Sequence, residues 1–188
     1  MPITLLPTQW ATQRLRVKDS TPDDVPELQK IYDACAYIEE WTGLTATDET
    51  EQPILSALMG GDLPPNGSKE FFRLQSVELS GTSQLIGYLQ MYHGYPTADV
   101  FWVATLAIHP RFQGMGYGQE LVCGLTKAVS ELGDFGTIRL GVALKNWPAL
   151  RFWTQAGFDK IVGIKGDKIH ADKTFAFVTL EKSLVEPD

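Results

Sequence analysis

Gly114, Gly116 and Gly118 alternate just after an apolar run, Val100 to Ile108, that closes at His109-Pro110, and a helical pattern begins at the last of them. A strand, a tight glycine loop and a helix start in immediate succession turn several backbone N–H groups toward one point. The positive end of the helix dipole stands behind them. The ligand that suits such a junction is an anion, most often a phosphate. Glycine fits the loop because a side chain would hold the ligand away from the backbone.

Two common phosphate fingerprints do not match. A dinucleotide site of the Rossmann type needs Gly-x-Gly-x-x-Gly and an acidic residue closing the next strand. Here the spacing is Gly-x-Gly-x-Gly, and the next strand ends in Val142-Ala143-Leu144-Lys145. A P-loop needs Gly-Lys-Ser/Thr, which is absent. One strand further on, Asn146 opens a short helix that Gly157-Phe158 closes.

Together these segments resemble the GNAT superfamily of acetyl-CoA-dependent N-acetyltransferases. Gln113-Gly114-Met115-Gly116-Tyr117-Gly118, led in by Ile108-His109-Pro110, is similar to that family's Gln/Arg-x-x-Gly-x-Gly/Ala signature. Asn146-Trp147-Pro148-Ala149 and Gly157-Phe158 are similar to its Asn-x-x-Ala helix. The element order fits from about Leu15 to Leu184. The resemblance implies acetyl-CoA as cosubstrate, no metal, and direct attack of a neutral primary amine on the thioester. It implies that Gln113, Gly114, Met115, Gly116, Tyr117 and Gly118 form the pyrophosphate cradle. Leu106, Ala107 and Ile108, on a bulged strand, would pair with the pantetheine arm as with a false strand. One of their N–H groups would polarise the thioester carbonyl. Asn146 would orient the pantetheine or its thiol end.

The proton chemistry departs from the family. Its usual tyrosine falls at Trp153, whose indole can donate a hydrogen bond but cannot protonate a leaving group at neutral pH. Trp153 is read instead as an apolar wall of the cofactor site, with the thiolate leaving unaided. The strand positions that commonly carry glutamate hold Ala104 and Thr105. Candidate bases are Asp99, His93 and Glu40, with Glu39 and His170 also considered. Each has a plainer reading. His93 and Asp99 bracket Gly94-Tyr95-Pro96 and can simply hold a turn. Glu39-Glu40 can be a solvated helix end, or acidic residues beside an acceptor pocket suited to a cationic amine. His170 lies in a polar loop, and His109 belongs to the lead-in. These absences motivate an alternative, an acyl-CoA-binding module without turnover.

The elements that must position these groups form an α/β (α+β) pattern. Leu15-Arg16-Val17 is a first strand, and Thr21-Pro22-Asp23-Asp24 starts a helix that runs through Ile38. A second helix is expected over Glu49 to Met59. Phe71 to Leu79 and Gln84 to Tyr92 make a hairpin, and Val100 to Ile108 is the next strand. Helix Gly118 to Leu132, strand Ile138 to Val142, helix Asn146 to Ala156, and strands Phe158 to Ile164 and Thr174 to Leu180 complete the order. With the resemblance this gives a mixed, mostly antiparallel twisted sheet of about seven strands, helices on both faces, and strands 4 and 5 of the family order splayed apart. Residues 1–188 read as a single domain, with 1–13 as an N-terminal extension.

Composition bounds the partners. The 188 residues carry a net charge of −7, which argues against nucleic acid and tolerates a cationic small molecule or peptide amine. Cys35 and Cys123 make no metal-ligand spacing and read as buried free thiols of a reducing compartment. No apolar stretch suggests a signal peptide or membrane span, so a cytoplasmic location with no membrane partner is expected. Dimers are frequent in the family, which makes a homodimer the expected assembly if the chain is not alone.

Overall fold

Apolar alternation sets the sheet, and breaks in it set the site. The computed structural model describes residues 3–43 and 52–185. Its strands are β1 Gln9–Ala11, β2 Leu15–Asp19, β3 Phe72–Leu79, β4 Leu85–His93, β5 Val100–Ile108, β6 Thr137–Ala143, β7 Lys160–Gly166 and β8 Ala176–Ser183. They form one sheet in the order β1-β2-β3-β4-β5-β6-β8-β7. Only β5 and β6 pair in parallel; every other neighbouring pair is antiparallel.

The expected mixed, mostly antiparallel architecture is therefore present, with eight strands rather than seven. The additional strand lies in the segment read as an extension. Gln9–Ala11 pairs with Lys18–Arg16, the Trp10 indole donates to Gln75 Oε1 at 2.9 Å, and Leu6 is 2% exposed in the core. Three residues are too few for a strand period to declare itself, and Pro2 and Pro7 nearby point toward loop. The family's strands 4 and 5 accordingly become β5 and β6.

The helices are α1 Val25–Ala34, α2 Glu39–Thr42, α3 Pro53–Gly60, α4 Tyr117–Leu132 and α5 Trp147–Gln155. Two apolar clusters show that they cover both faces. One joins Leu121, Leu125 and Val129 of α4 and Trp153 of α5 to Leu89, Phe101 and Leu140 of the sheet. The other joins Leu28 and Ile31 of α1 and Ile54 of α3 to Leu74, Tyr88 and Tyr92. Burial of each such side chain contributes about 1.5–3 kcal/mol.

The first predicted helix is divided. Thr21 caps a single 3-10 turn, Pro22–Asp24, where its N–H and hydroxyl both donate to Asp24 Oδ2. The α-helix proper starts at Val25 and ends at Ala34; Cys35 leaves helical geometry at φ −95°, ψ 2°. A 3-10 turn over Ala36–Ile38 then re-aims the chain into α2, which Gly43 stops in the left-handed region. This break turns 36–42 toward the β5–β6 split. Of the predicted second helix, 49–51 lies outside the described residues, and the observed helix begins at Pro53. The last two strands sit about two residues later than expected.

Candidate active site

The site begins as a fault in the sheet. β5 pairs with β6 only from Val100↔Thr137 to Val103↔Leu140, although both strands continue. On the other side, the register with β4 jumps from Gln90↔Thr105 to Met91↔Val103, so Ala104 is an extra, bulged residue. A bulge bends its strand and raises the local twist. Beyond Ala104, β5 turns away from β6 and its edge opens. His109 N donates to Ile86 O on β4, and strand alternation then points the N–H and C=O groups of Leu106 and the N–H of Ile108 into the split, where Gln113 occupies the Ile108 carbonyl.

At the end of β5, a 3-10 turn over Pro110–Phe112 leads into the glycine loop. Gly114 and Gly116 hold φ +73° and +82°, conformations in which a side chain is strained. At Gly118 space is tight, since an added Cβ would lie 3.2 Å from the Phe152 ring, which would have to yield by a few tenths of an ångström. The first intrahelical bond of α4 runs from Glu120 N to Gly116 O. The N–H groups of residues 114–119 therefore have no acceptor among the described residues, and no side chain caps the helix. They form a row of free donors at the positive end of a 16-residue helix.

The loop is braced from both sides. The Gln113 amide donates to Ile108 O at 2.7 Å and to the Tyr37 hydroxyl at 3.2 Å. Its side chain is thus a strut between loop, strand and the α1–α2 turn. Opposite it, the Glu120 carboxylate accepts from Thr12 Oγ1 (2.5 Å), Arg14 N (2.7 Å) and Arg14 Nε (2.6 Å). Those hydrogen bonds and the Arg14 charge outweigh its partial burial and hold the carboxyl below its usual range. Arg14 also donates to Met115 O and lies 4.5 Å from the centre of the Tyr117 ring. The β1–β2 turn, read in the sequence as the end of an extension, fastens the cradle in place.

A single cleft of ≈ 1040 Å³ joins these parts. Leu106, Ala107, Ile108, Gln113, Gly114, Gly116 and Gly118 line it, as do Asn146 and Trp153. Met115 and Tyr117 do not: Met115 faces solvent and Tyr117 packs beside Arg14 and Phe112, so only their backbone belongs to the cradle. Asn146 caps α5, its Oδ1 accepting from Ala149 N at 3.1 Å, which leaves its NH₂ as the end free to meet a ligand. Trp153 is 8% exposed and wedged between Phe152 and Phe158, each 5.0 Å away by ring centre. It is a wall.

The candidate bases do not gather there. His93 is fully buried on the far side of the core. Its Nδ1 donates to Phe71 O at 2.8 Å, its Nε2 accepts from Leu6 N at 3.1 Å, and the Phe101 and Phe135 rings flank it. Burial without a counter-charge lowers its pKa to about 4, so it is a structural hydrogen-bonding group rather than a base. Asp99 is exposed on the β4–β5 turn, where the Thr97 side chain hydrogen-bonds to it and holds its carboxyl below the usual range. Glu40 is exposed outside the cleft, as is His170 in the β7–β8 loop. Glu39, one residue earlier, lines the cleft. The 3-10 turn before α2 makes that selection, which no sequence pattern displayed.

Other residues reach the cleft without having been expected. Cys35 is half-buried with Sγ 3.8 Å from Ile108 O, and Cys123 is exposed on α4, so neither is the fully buried thiol anticipated. Burial raises the Cys35 pKa and keeps it a thiol. Tyr88, opposite Ala107 on β4, is 3% exposed yet lines the cleft. Burial above all raises its pKa, so it stays a phenol. Its hydroxyl has no hydrogen-bond partner among the described residues. Among those residues no cluster of His, Cys, Asp and Glu could hold a metal ion, and no helix is long and apolar enough to cross a membrane.

A strand pair split at a bulge, with a glycine-capped helix at its mouth, is the architecture of an acetyltransferase fold. The family model for the acetyltransferase (GNAT) family matches residues 26–158, and the chain belongs to that family. Solved structures agree in fold. A GNAT-family acetyltransferase from Bacillus anthracis is similar at TM-score 0.70 and 16% identity, over 94% of this chain and 98% of that one. One from Chromobacterium violaceum is similar at TM-score 0.75 and 12% identity, over 98% and 90%. A spermidine N-acetyltransferase chimera from Vibrio cholerae and hSSAT is similar at TM-score 0.65 and 15% identity, over 92% and 97%. No curated protein sequence matches.

Proposed function

We propose that the protein is an N-acetyltransferase that moves the acetyl group of acetyl-CoA to a primary amine. The observation that carries this is the row of unpartnered N–H groups at residues 114–119, placed at the mouth of the β5–β6 split. The residues present fit the cosubstrate. Free donors at a helix start suit a pyrophosphate. The open edge at Leu106 and Ile108 suits the amide-bearing pantetheine arm. Asn146 offers an NH₂ group at the inner end. The similar chimera from Vibrio cholerae and hSSAT is a spermidine N-acetyltransferase, whose acceptor is also an amine.

Acetyl-CoA supplies an activated thioester. The chain's own groups bind and orient it. An N–H of the β5 edge donates to the thioester oxygen as charge builds there. A neutral amine nitrogen forms the new C–N bond, the C–S bond breaks, and the surplus proton leaves the nitrogen for Glu39 or water. No described side chain has to protonate sulfur, because a thiolate with an ordinary pKa near 8.5 departs unaided. The buried Trp153 and the remote positions of Asp99, Glu40 and His93 favour one other reading, acyl-CoA binding without turnover. Incubation with radiolabelled acetyl-CoA and a panel of amines decides between them. Labelled N-acetyl product supports transfer. Tight binding with neither transfer nor thioester hydrolysis supports the binding module, and absence of binding removes both.

A further inference from the structure

The acceptor half of the cleft has an uneven chemistry. Of all its described lining residues, Glu39 alone carries a charge. Around it the wall is aromatic and apolar. Tyr37 and Trp41 form an edge-on pair 5.7 Å apart, and Tyr32, Ile38 and Tyr88 continue the surface. Burial first, and then the neighbouring Glu39 charge, raise the Tyr32 pKa, which sets Glu39 beside Tyr32. The Tyr88 hydroxyl makes no hydrogen bond to a described residue, and its side chain lines the same space. A hydroxyl that faces the cleft without a protein partner is available to donate to or accept from a ligand there.

We propose that the acceptor is a primary monoamine with an apolar, aromatic-compatible body and no carboxylate, its ammonium drawn in by Glu39 and its amine nitrogen held by the Tyr88 hydroxyl. This rests on the acetyl-transfer reading of the cleft. One carboxylate matches one ammonium. A second ammonium on the acceptor would meet Tyr37, Trp41 and Ile38 and no further carboxylate in the described lining. An acceptor carboxylate would meet no Lys or Arg in the described lining, and it would lie beside the like charge of Glu39. The aromatic faces reward a flat, apolar body and add a cation–π term for the ammonium.

The test uses the full chain with acetyl-CoA and three acceptors, following release of free CoA thiol and formation of N-acetyl product. Phenethylamine and phenylalanine differ only by a carboxylate, and spermidine replaces the apolar body with further charges. The expected result is a kcat/KM for phenethylamine at least tenfold above both others. Glu39→Gln should raise the phenethylamine KM tenfold or more while leaving the acetyl-CoA dissociation constant unchanged. Glu40→Gln, one residue away and outside the cleft, should change neither. Equal or better use of phenylalanine or spermidine overturns the proposal, as does failure to acetylate any of the three by a protein that binds acetyl-CoA. An unchanged phenethylamine KM in Glu39→Gln also overturns it. Failure to bind acetyl-CoA is a separate outcome that removes the underlying reading instead.

Discussion

His93 provides a quantitative test of the claim that it is structure and not catalyst. Its folded pKa of about 4 lies below the ordinary 6.5 because burial opposes the imidazolium while Leu6 N–H and the Phe71 carbonyl fix the neutral tautomer. Below pH 6.5 the unfolded chain takes up a proton there that the folded chain refuses. Stability is therefore intact above the unfolded pKa and is lost as pH falls toward 4. Integration of the linkage relation gives a loss of about 1.2 kcal/mol by pH 5.5 and about 2.4 kcal/mol by pH 4.5, relative to pH 7. Glu120 and Glu181, whose folded pKa values lie below 4.5, lose their contribution only at lower pH, which leaves the upper window to His93. Urea titrations at pH 7, 5.5 and 4.5 measure the slope, and His93→Gln should abolish most of it while lowering stability at pH 7. An NMR titration should find the His93 imidazole neutral in the folded protein at pH 5.5. A folded His93 that titrates near 6.5, or a wild-type stability flat from pH 7 to 4.5, refutes the reasoning and returns His93 to the list of possible bases.

Other consequences concern the loop and the wall. Glu120→Ala removes three hydrogen-bond acceptor contacts from the β1–β2 turn, at a cost of about 1–3 kcal/mol in stability. Its acetyl-CoA dissociation constant should rise several-fold because Arg14 no longer holds Met115 O, and calorimetry with urea unfolding reads both. Trp153→Ala should cost about 3–5 kcal/mol as a core truncation. Trp153→Phe should keep kcat within about threefold, since no proton passes through the indole; a loss of a hundredfold or more in Trp153→Phe would mean that the N–H takes part. Gly118→Val should block the approach of α4 to Phe152 and lower the thermal midpoint, read by circular dichroism.

The glycine loop was legible because its shape is a demand on the backbone, and backbone demands show directly as residue type. Gly114 and Gly116 answer a positive φ, and Gly118 a close approach to Phe152, so three local requirements left three glycines in the sequence. Asn146 was legible for the same reason, as a helix cap. The carboxylate that lines the cleft was not, because which one reaches it depends on a one-residue rotation set by the 3-10 turn at Ala36–Ile38. Glu39 and Glu40 are interchangeable as text and opposite in space. His93 misled because a histidine beside a turn reads as a base or as a local turn holder, whereas its partners, Leu6 and Phe71, lie 87 and 22 residues away along the chain. Tyr88 gave no signal, since an aromatic in a strand is ordinarily core, and here it is both core and cleft wall. The β1 strand stayed hidden for its length, although Arg14 and Thr12 beside it turn out to anchor the cradle.

The central claim is that the N–H row at 114–119 holds the phosphates of acetyl-CoA. Calorimetric titration of acetyl-CoA into wild type, Gly116→Ala and Gly116→Glu tests it most directly. Alanine imposes the backbone strain of φ +82°, about 1–2 kcal/mol, and sets its Cβ 3.3 Å from Arg14 Nη2, while glutamate adds a carboxylate at the mouth of the cradle. The account predicts saturable one-to-one binding by wild type, weaker but measurable binding by the alanine variant, and none by a folded glutamate variant. Wild-type affinity in Gly116→Glu would contradict it and place the cosubstrate elsewhere.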